Sequence, residues 1–146
     1  MLKVLIAEDG AMLADCLEDF LNWKGFEVCG IARTVDEAVS LADLHRPELA
    51  VLDFRLANGT FGSEIRPRLE DKITMGILYV SGDPLKNVLT KLDGEAYIQK
   101  PYRLNDILWA LGAIRKIKTG IPADTTSIPK GFHLLGVPGV PDRHVS

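Results

Sequence analysis

The chain has little of anything that would staple it, anchor it or hold a nucleic acid. Its 146 residues include two cysteines, Cys16 and Cys29. Their spacing fits neither a CxxC pair nor a metal-ligand pattern, so both are expected as small buried residues of a reducing compartment. The three histidines, His45, His133 and His144, share no ligand spacing and read as surface or helix-end residues. No glycine-rich nucleotide loop is present. Apolar runs are far too short to cross a bilayer, and no N-terminal apolar leader with a cleavage site precedes them. Positive charge is not in excess: 17 Lys and Arg stand against 20 Asp and Glu, for a formal charge of −3. That balance argues against a dedicated nucleic-acid binder. The composition therefore predicts a cytoplasmic protein with neither membrane nor nucleic acid as partner. With 47% hydrophobic residues, a chain of this length buries enough surface to fold without disulfide or metal.

What is present is an alternation. Leu2–Ala7, Phe26–Ala32, Glu48–Leu52, Met75–Val80 and Glu95–Gln99 are short apolar runs rich in Val, Ile and Leu. Such runs suit strands covered on both faces. Amphipathic stretches separate them. Leu13, Leu17, Phe20 and Leu21 form one helical stripe, and Thr34 with Glu37 forms a capping box for a second helix that stops before Pro47. Leu104, Leu108 and Leu111 mark the last, which ends in Arg115-Lys116-Ile117-Lys118 with Gly120 as its C′ residue. Trp23 and Trp109 fall on helices, where packing is the default. Five strands alternating with five helices predict an α/β, doubly wound parallel sheet over residues 1–118. Residues 119–146 differ, holding four of the eight prolines but only four charged residues. Ile121, Ile128, Phe132, Leu134, Leu135 and Val137 make this extension too apolar to stay solvated. It is expected to lie on a surface, its own or that of a neighbouring chain, through Phe132, Leu134 and Leu135. It is too short for a DNA-binding effector.

Ligands of doubly wound sheets sit at the carboxyl ends of the strands. Those ends carry Glu8-Asp9, Asp53, Ser81 and Lys100-Pro101. Three converging carboxylates repel unless a cation neutralises them, and a hard divalent ion such as Mg²⁺ (or Mn²⁺) suits oxygen ligands. Lys100 adds a point charge and Ser81 a neutral donor. Together they describe a site that attaches a phosphoryl group to Asp53, whose oxygen is the nucleophile. Lys100-Pro101 is a candidate cis peptide that would hold the ammonium inward. Taken singly, each feature also has a plain structural explanation as a cap, turn or solvated loop. Their joint occurrence at matching strand ends favours one shared site.

The stretch from Met1 to about Lys118 resembles a response-regulator receiver domain, the CheY-like module of two-component signalling. The matching motifs are Glu8-Asp9, Leu52-Asp53 with Leu56 and Gly59, Val80-Ser81-Gly82, and Tyr97-Ile98-Gln99-Lys100-Pro101. The resemblance implies a flavodoxin-like strand order of 2-1-3-4-5. It makes Asp53 the phosphoacceptor, Asp9 a direct metal ligand, Glu8 a ligand through metal-bound water, and the Arg55 backbone carbonyl a further ligand. Ser81 would bind a phosphoryl oxygen, Lys100 would pair with carboxylate or phosphoryl, and Tyr97 would be the switch aromatic that moves inward with the Ser81 hydroxyl. Implied partners are a sensor histidine kinase or phosphotransfer protein upstream and an unidentified protein downstream, with self-association through the extension also open. The chain would be a phosphoacceptor of a phosphorelay rather than an enzyme.

Three departures stand out. Ala57-Asn58 occupies the place where many receivers have proline. The stretch from Ser81 to Lys100 is short, leaving only Asp83 to Leu92 for a fourth helix, expected to be about two turns long or partly irregular. Arg55 and Asp83 flank the site, either pairing across its mouth to hinder water or forming a solvated surface pair. A second function remains open: a receiver-fold interaction module that no longer needs phosphorylation. A third, an aspartyl phosphohydrolase resembling haloacid dehalogenases, usually has a second Asp two positions after the nucleophile, where this chain has Arg55.

Overall fold

The computed structural model describes residues 1–70, 74–121 and 127–136. Val137 and His144 lie outside the described residues.

The apolar runs become strands β1 (Lys3–Ala7), β2 (Glu27–Ala32), β3 (Leu49–Asp53), β4 (Gly76–Ser81) and β5 (Ala96–Gln99). They pair in parallel in the order β2-β1-β3-β4-β5, as expected. A sixth strand, β6 (Phe132–Leu134), extends the sheet by pairing antiparallel with β5. The central strands β3 and β4 are buried at every position, which is why their sequences show no polar alternation.

Helix α1 (Ala11–Trp23) buries Ala14, Leu17 and Leu21 along the face that the periodicity marks. In α2 (Val35–His45) the Thr34 hydroxyl accepts the Glu37 N–H at 3.1 Å, and Arg46 ends the helix at a left-handed φ of 52° just before Pro47. The helix count differs from expectation. Among the described residues there are four α-helices, and α3 (Ile65–Arg68) is a single turn preceded by two 3₁₀ turns. No helix forms between Ser81 and β5. There the Asp93 carboxylate accepts the Thr90 N–H at 2.8 Å, and the Thr90 hydroxyl accepts the Leu92 N–H at 3.3 Å. These local bonds replace helical ones, while Leu85 and Leu89 still reach the core.

Helix α4 (Leu104–Lys118) closes with the Gly120 and Ile121 N–H groups donating to the Ile117 and Lys116 carbonyls. Gly120 adopts φ +77°, which a side chain would disfavour. Two apolar layers result. One packs α2 and residues 54–69 and 85–89 on the sheet around Leu52, Ile77 and Tyr79, and the other packs α1 and α4 around Ile6, Val51 and Leu78.

Three packing expectations fail. Trp23 is exposed, with the Lys24 ammonium 4.5 Å from its ring centroid. Cys16 is exposed as well, because the helix face bearing it points away from the sheet; Cys29 is only half-buried. Leu134 remains exposed, since alternation along β6 sends it to the face opposite Leu135, which is buried. Phe132 does pack, edge-on against Trp109 at 5.0 Å between ring centroids.

Candidate functional site

Parallel pairing brings the ends of β1, β3, β4 and β5 to one edge. Ala7 is level with Leu52, Asp53 with Val80, and Ser81 with Gln99, so residues ninety positions apart in sequence face one another. Carboxylate oxygens of Glu8, Asp9 and Asp53 all lie within 4.8 Å of one another. Glu8 and Asp53 are buried, whereas Asp9 is exposed at the rim.

Each acid is held by local backbone. The Glu8 N–H donates to the Ala32 carbonyl of β2 at 2.8 Å, and the Glu8 carboxylate accepts the Gly10 N–H at 3.1 Å. That fixes Glu8 just ahead of α1, near the positive end of the helix. Asp53 accepts the Arg55 N–H at 3.3 Å on one oxygen and the Lys100 ammonium at 3.4 Å on the other. Lys100 is carried by the last turn after β5, where its N–H donates to the Ser81 carbonyl at 2.8 Å. The Lys100-Pro101 peptide is cis. Ser81 is buried, and its hydroxyl accepts the Asp83 N–H at 3.1 Å.

The electrostatics are lopsided. Burial, reinforced by the hydrogen bond and charge of Asp53, pushes Glu8 from 4.5 up to about 7. Tyr102 is pushed up to about 12 by burial, with the negative charges of Glu8 and Asp53 adding to the effect. One ammonium faces three clustered carboxyl groups, so the donor set suits a hard divalent cation. Glu8, Asp9 and Asp53 are the side chains positioned to hold one.

Two residues of the site were not singled out from sequence. Gly62 packs behind Asp53, and a Cβ there would collide with the Asp53 carbonyl oxygen. Its N–H donates to the Phe54 carbonyl at 2.7 Å, drawing the 3₁₀ turn tightly against the end of β3. Tyr102 lines the site through its burial beside the acids; its position directly after Lys100-Pro101 is the one signal the sequence carries. Arg55 and Asp83 do meet, at 3.4 Å, but both side chains are about two-thirds exposed. This is the solvated form of the pair, on the rim of the site. Tyr97 is fully inward, 1% exposed within the core.

Comparison with known proteins accords with this geometry. Residues 4–112 match the family model of the response regulator receiver domain. Over 112 residues the chain is 29% identical to the transcriptional regulatory protein PdtaR of Mycobacterium tuberculosis, covering 75% of this chain and 54% of that protein. It is 30% identical over 103 residues to the phyllosphere-induced regulator PhyR of Methylorubrum extorquens, covering 69% and 39%. The chain thus spans about half the length, or less, of these two curated relatives. A receiver domain of a modulated diguanylate cyclase from Desulfovibrio desulfuricans G20 superposes with a TM-score of 0.66 and 28% identity, over 82% of this chain and 98% of that one; it is described as an example of alternate folding. A mutant form of the anti-anti-sigma factor PhyR from Bartonella quintana gives a TM-score of 0.71 at 22% identity over 82% and 50%, a likeness of fold. The acidic strand ends, the lysine facing Asp53 and the match over residues 4–112 together place this chain in the response-regulator receiver family.

Proposed function

We propose that Asp53 accepts a phosphoryl group from a histidine kinase or phosphotransfer protein. The observation that carries this reading is the convergence of Glu8, Asp9 and Lys100 on the one carboxylate at the end of β3, with Ser81 at the end of the neighbouring β4. The Asp53 oxygen attacks phosphorus, the P–N bond of the donor phosphohistidine breaks, and the imidazole leaves with the bond electrons and takes up a proton. Asp9 and Asp53, with the Arg55 backbone carbonyl and with Glu8 acting through water, would hold a Mg²⁺ ion, which would supply positive charge against the transferring group. Lys100 orients Asp53 through its 3.4 Å contact, then faces a phosphoryl oxygen. The Ser81 hydroxyl, which accepts the Asp83 N–H, donates its own proton to another. Phosphorylation adds about −1.5 to −2 charges, and the change is read by a protein partner through the Ser81 turn and Tyr97. Residues 1–118 act as the receiver and the extension from residue 119 as part of its output. The test is phosphorylation by acetyl phosphate with Mg²⁺. Label is expected on the wild type and lost in Asp53→Asn; equal labelling of both overturns the proposal.

A second reading is favoured by one observation: β6 adds the extension to the sheet edge by pairing with β5. A phosphorylation-independent interaction module would keep partner binding in Asp53→Asn and lose it on removal of residues 120–146.

A further inference from the structure

We propose that His133, on β6, is a positioning residue for Tyr97, and that docking of residues 131–136 strengthens phosphoryl capture at Asp53. The inference rests on the phosphoacceptor reading and names a regulatory element for it within the same chain.

His133 lies directly opposite Tyr97 in the antiparallel register of β5 and β6. Directly opposed residues share a face of the sheet. Their rings stack accordingly, 4.9 Å apart and 25° from parallel. Two positions on, Leu135 returns to the same face and is buried in the cluster that holds Tyr97, Leu85 and Leu89. Backbone bonds fix this arrangement on two sides. The Leu135 N–H donates to the Glu95 carbonyl at 3.0 Å, and the Lys91 N–H donates to the Gly136 carbonyl at 2.7 Å. At the other end of the segment, the Gln99 N–H donates to the Gly131 carbonyl at 3.0 Å. A Cβ on Gly131 would come within 2.9 Å of the Gln99 carbonyl oxygen, so glycine permits the approach.

The compartment around Tyr97 is therefore built from two separate pieces of chain. One is the segment that leaves Ser81. Its first turn is tied by the Asp83 N–H to the Ser81 hydroxyl, and Leu85 packs in the same cluster as Tyr97. The other is the extension, through His133 and Leu135. When the Ser81 hydroxyl is drawn to a phosphoryl oxygen, the turn that it holds through the Asp83 N–H is drawn with it, and the segment bearing Leu85 shifts against Tyr97. An extension that already holds the ring inward lowers the free-energy cost of that rearrangement. Coupling of this kind is reciprocal: whatever tail docking adds to phosphoryl binding, phosphoryl binding adds to tail docking.

The experiment uses the full chain and beryllofluoride with Mg²⁺, a mimic of the acyl phosphate. His133→Ala is expected to weaken beryllofluoride binding about two- to tenfold, the range an aromatic pair supports. His133→Phe restores the stack and is expected to bind within about twofold of wild type. In the unsubstituted protein, saturation with beryllofluoride is expected to slow hydrogen exchange at the Leu135 amide. Wild-type affinity in His133→Ala, no rescue by phenylalanine, or unchanged Leu135 exchange on saturation each overturns the inference and leaves the Asp53 reading intact. A wild-type chain that binds no beryllofluoride overturns both.

Discussion

The two edges of the sheet each bury a carboxylate beside a cation, and they treat it differently. At the amino edge, Glu95 accepts the Arg66 guanidinium at 3.0 Å and the Ile77 N–H at 2.9 Å. One acid there has one cation and a backbone donor. At the carboxyl edge, Glu8, Asp9 and Asp53 crowd together, with Lys100 3.4 Å from Asp53. Charge is left over, and the hydrogen bond and charge of Asp53 add to the burial that pushes Glu8 up to about 7. A matched acid fastens the fold, whereas surplus acid stores an affinity for added cation. Burial alone does not tell the two apart; the ratio of acids to donors does.

The sharpest way to break this contrast is substitution at each edge. Asp53→Asn is expected to abolish phosphorylation by acetyl phosphate while changing metal-free stability by less than about 1 kcal/mol, since it also relieves carboxylate repulsion. Glu95→Ala should do the reverse. It strands the half-buried Arg66 and the Ile77 N–H, so a loss of about 2–4 kcal/mol in urea unfolding is expected. Labelling of the folded variant should stay within about twofold of wild type. Equal effects of the two substitutions on either readout would erase the distinction.

Gly62→Ala is the intermediate case. The added methyl meets the Asp53 carbonyl oxygen, so a stability loss of about 1–3 kcal/mol is expected together with slower labelling. A loss of stability with labelling unchanged would show that the turn yields without moving Asp53.

The pH dependence of the carboxyl edge follows from Glu8. Its carboxyl titrates near 4.5 when unfolded and near 7 when folded, so between these values the folded chain binds more proton. Stability of the metal-free protein should therefore fall as pH rises from about 4.5 to about 7. Glu8→Gln should flatten that slope, as measured by chemical unfolding across the range. Added Mg²⁺ should reduce the same slope by stabilising the ionised form. The smallest effect belongs to the rim. The Arg55–Asp83 pair is exposed on both sides, and Arg55→Ala should change stability by less than about 1 kcal/mol. A larger change would mean that the pair belongs to the buried network.

Much of the fold was legible because its signals are local. Apolar runs of Val, Ile and Leu marked β1 to β5, and Thr34, Pro47 and Gly120 marked helix ends through bonds to neighbouring backbone. The failures came where distant packing decides. Trp23 follows a helical pattern but is exposed at the end of α1, and nothing in the pattern says so. The segment from Ser81 to Gln99 carries helix-like spacing at Leu85 and Leu89, yet Thr90 and Asp93 take its backbone bonds. Helix α3 spans only Ile65–Arg68, with Pro67 inside it. Nothing in the residues around Gly62 marks its role, because the atom it must avoid comes from β3.

By itself, the sequence determined the doubly wound sheet and put acids, serine and lysine at strand ends, because strand polarity and burial are written in short-range patterns. The tertiary structure decided which charges remained unmatched and where the extension went. Both depend on distances between segments far apart in the chain: the Glu8–Asp9–Asp53 cluster on parallel register, and His133 over Tyr97 on an antiparallel pairing that no local periodicity encodes.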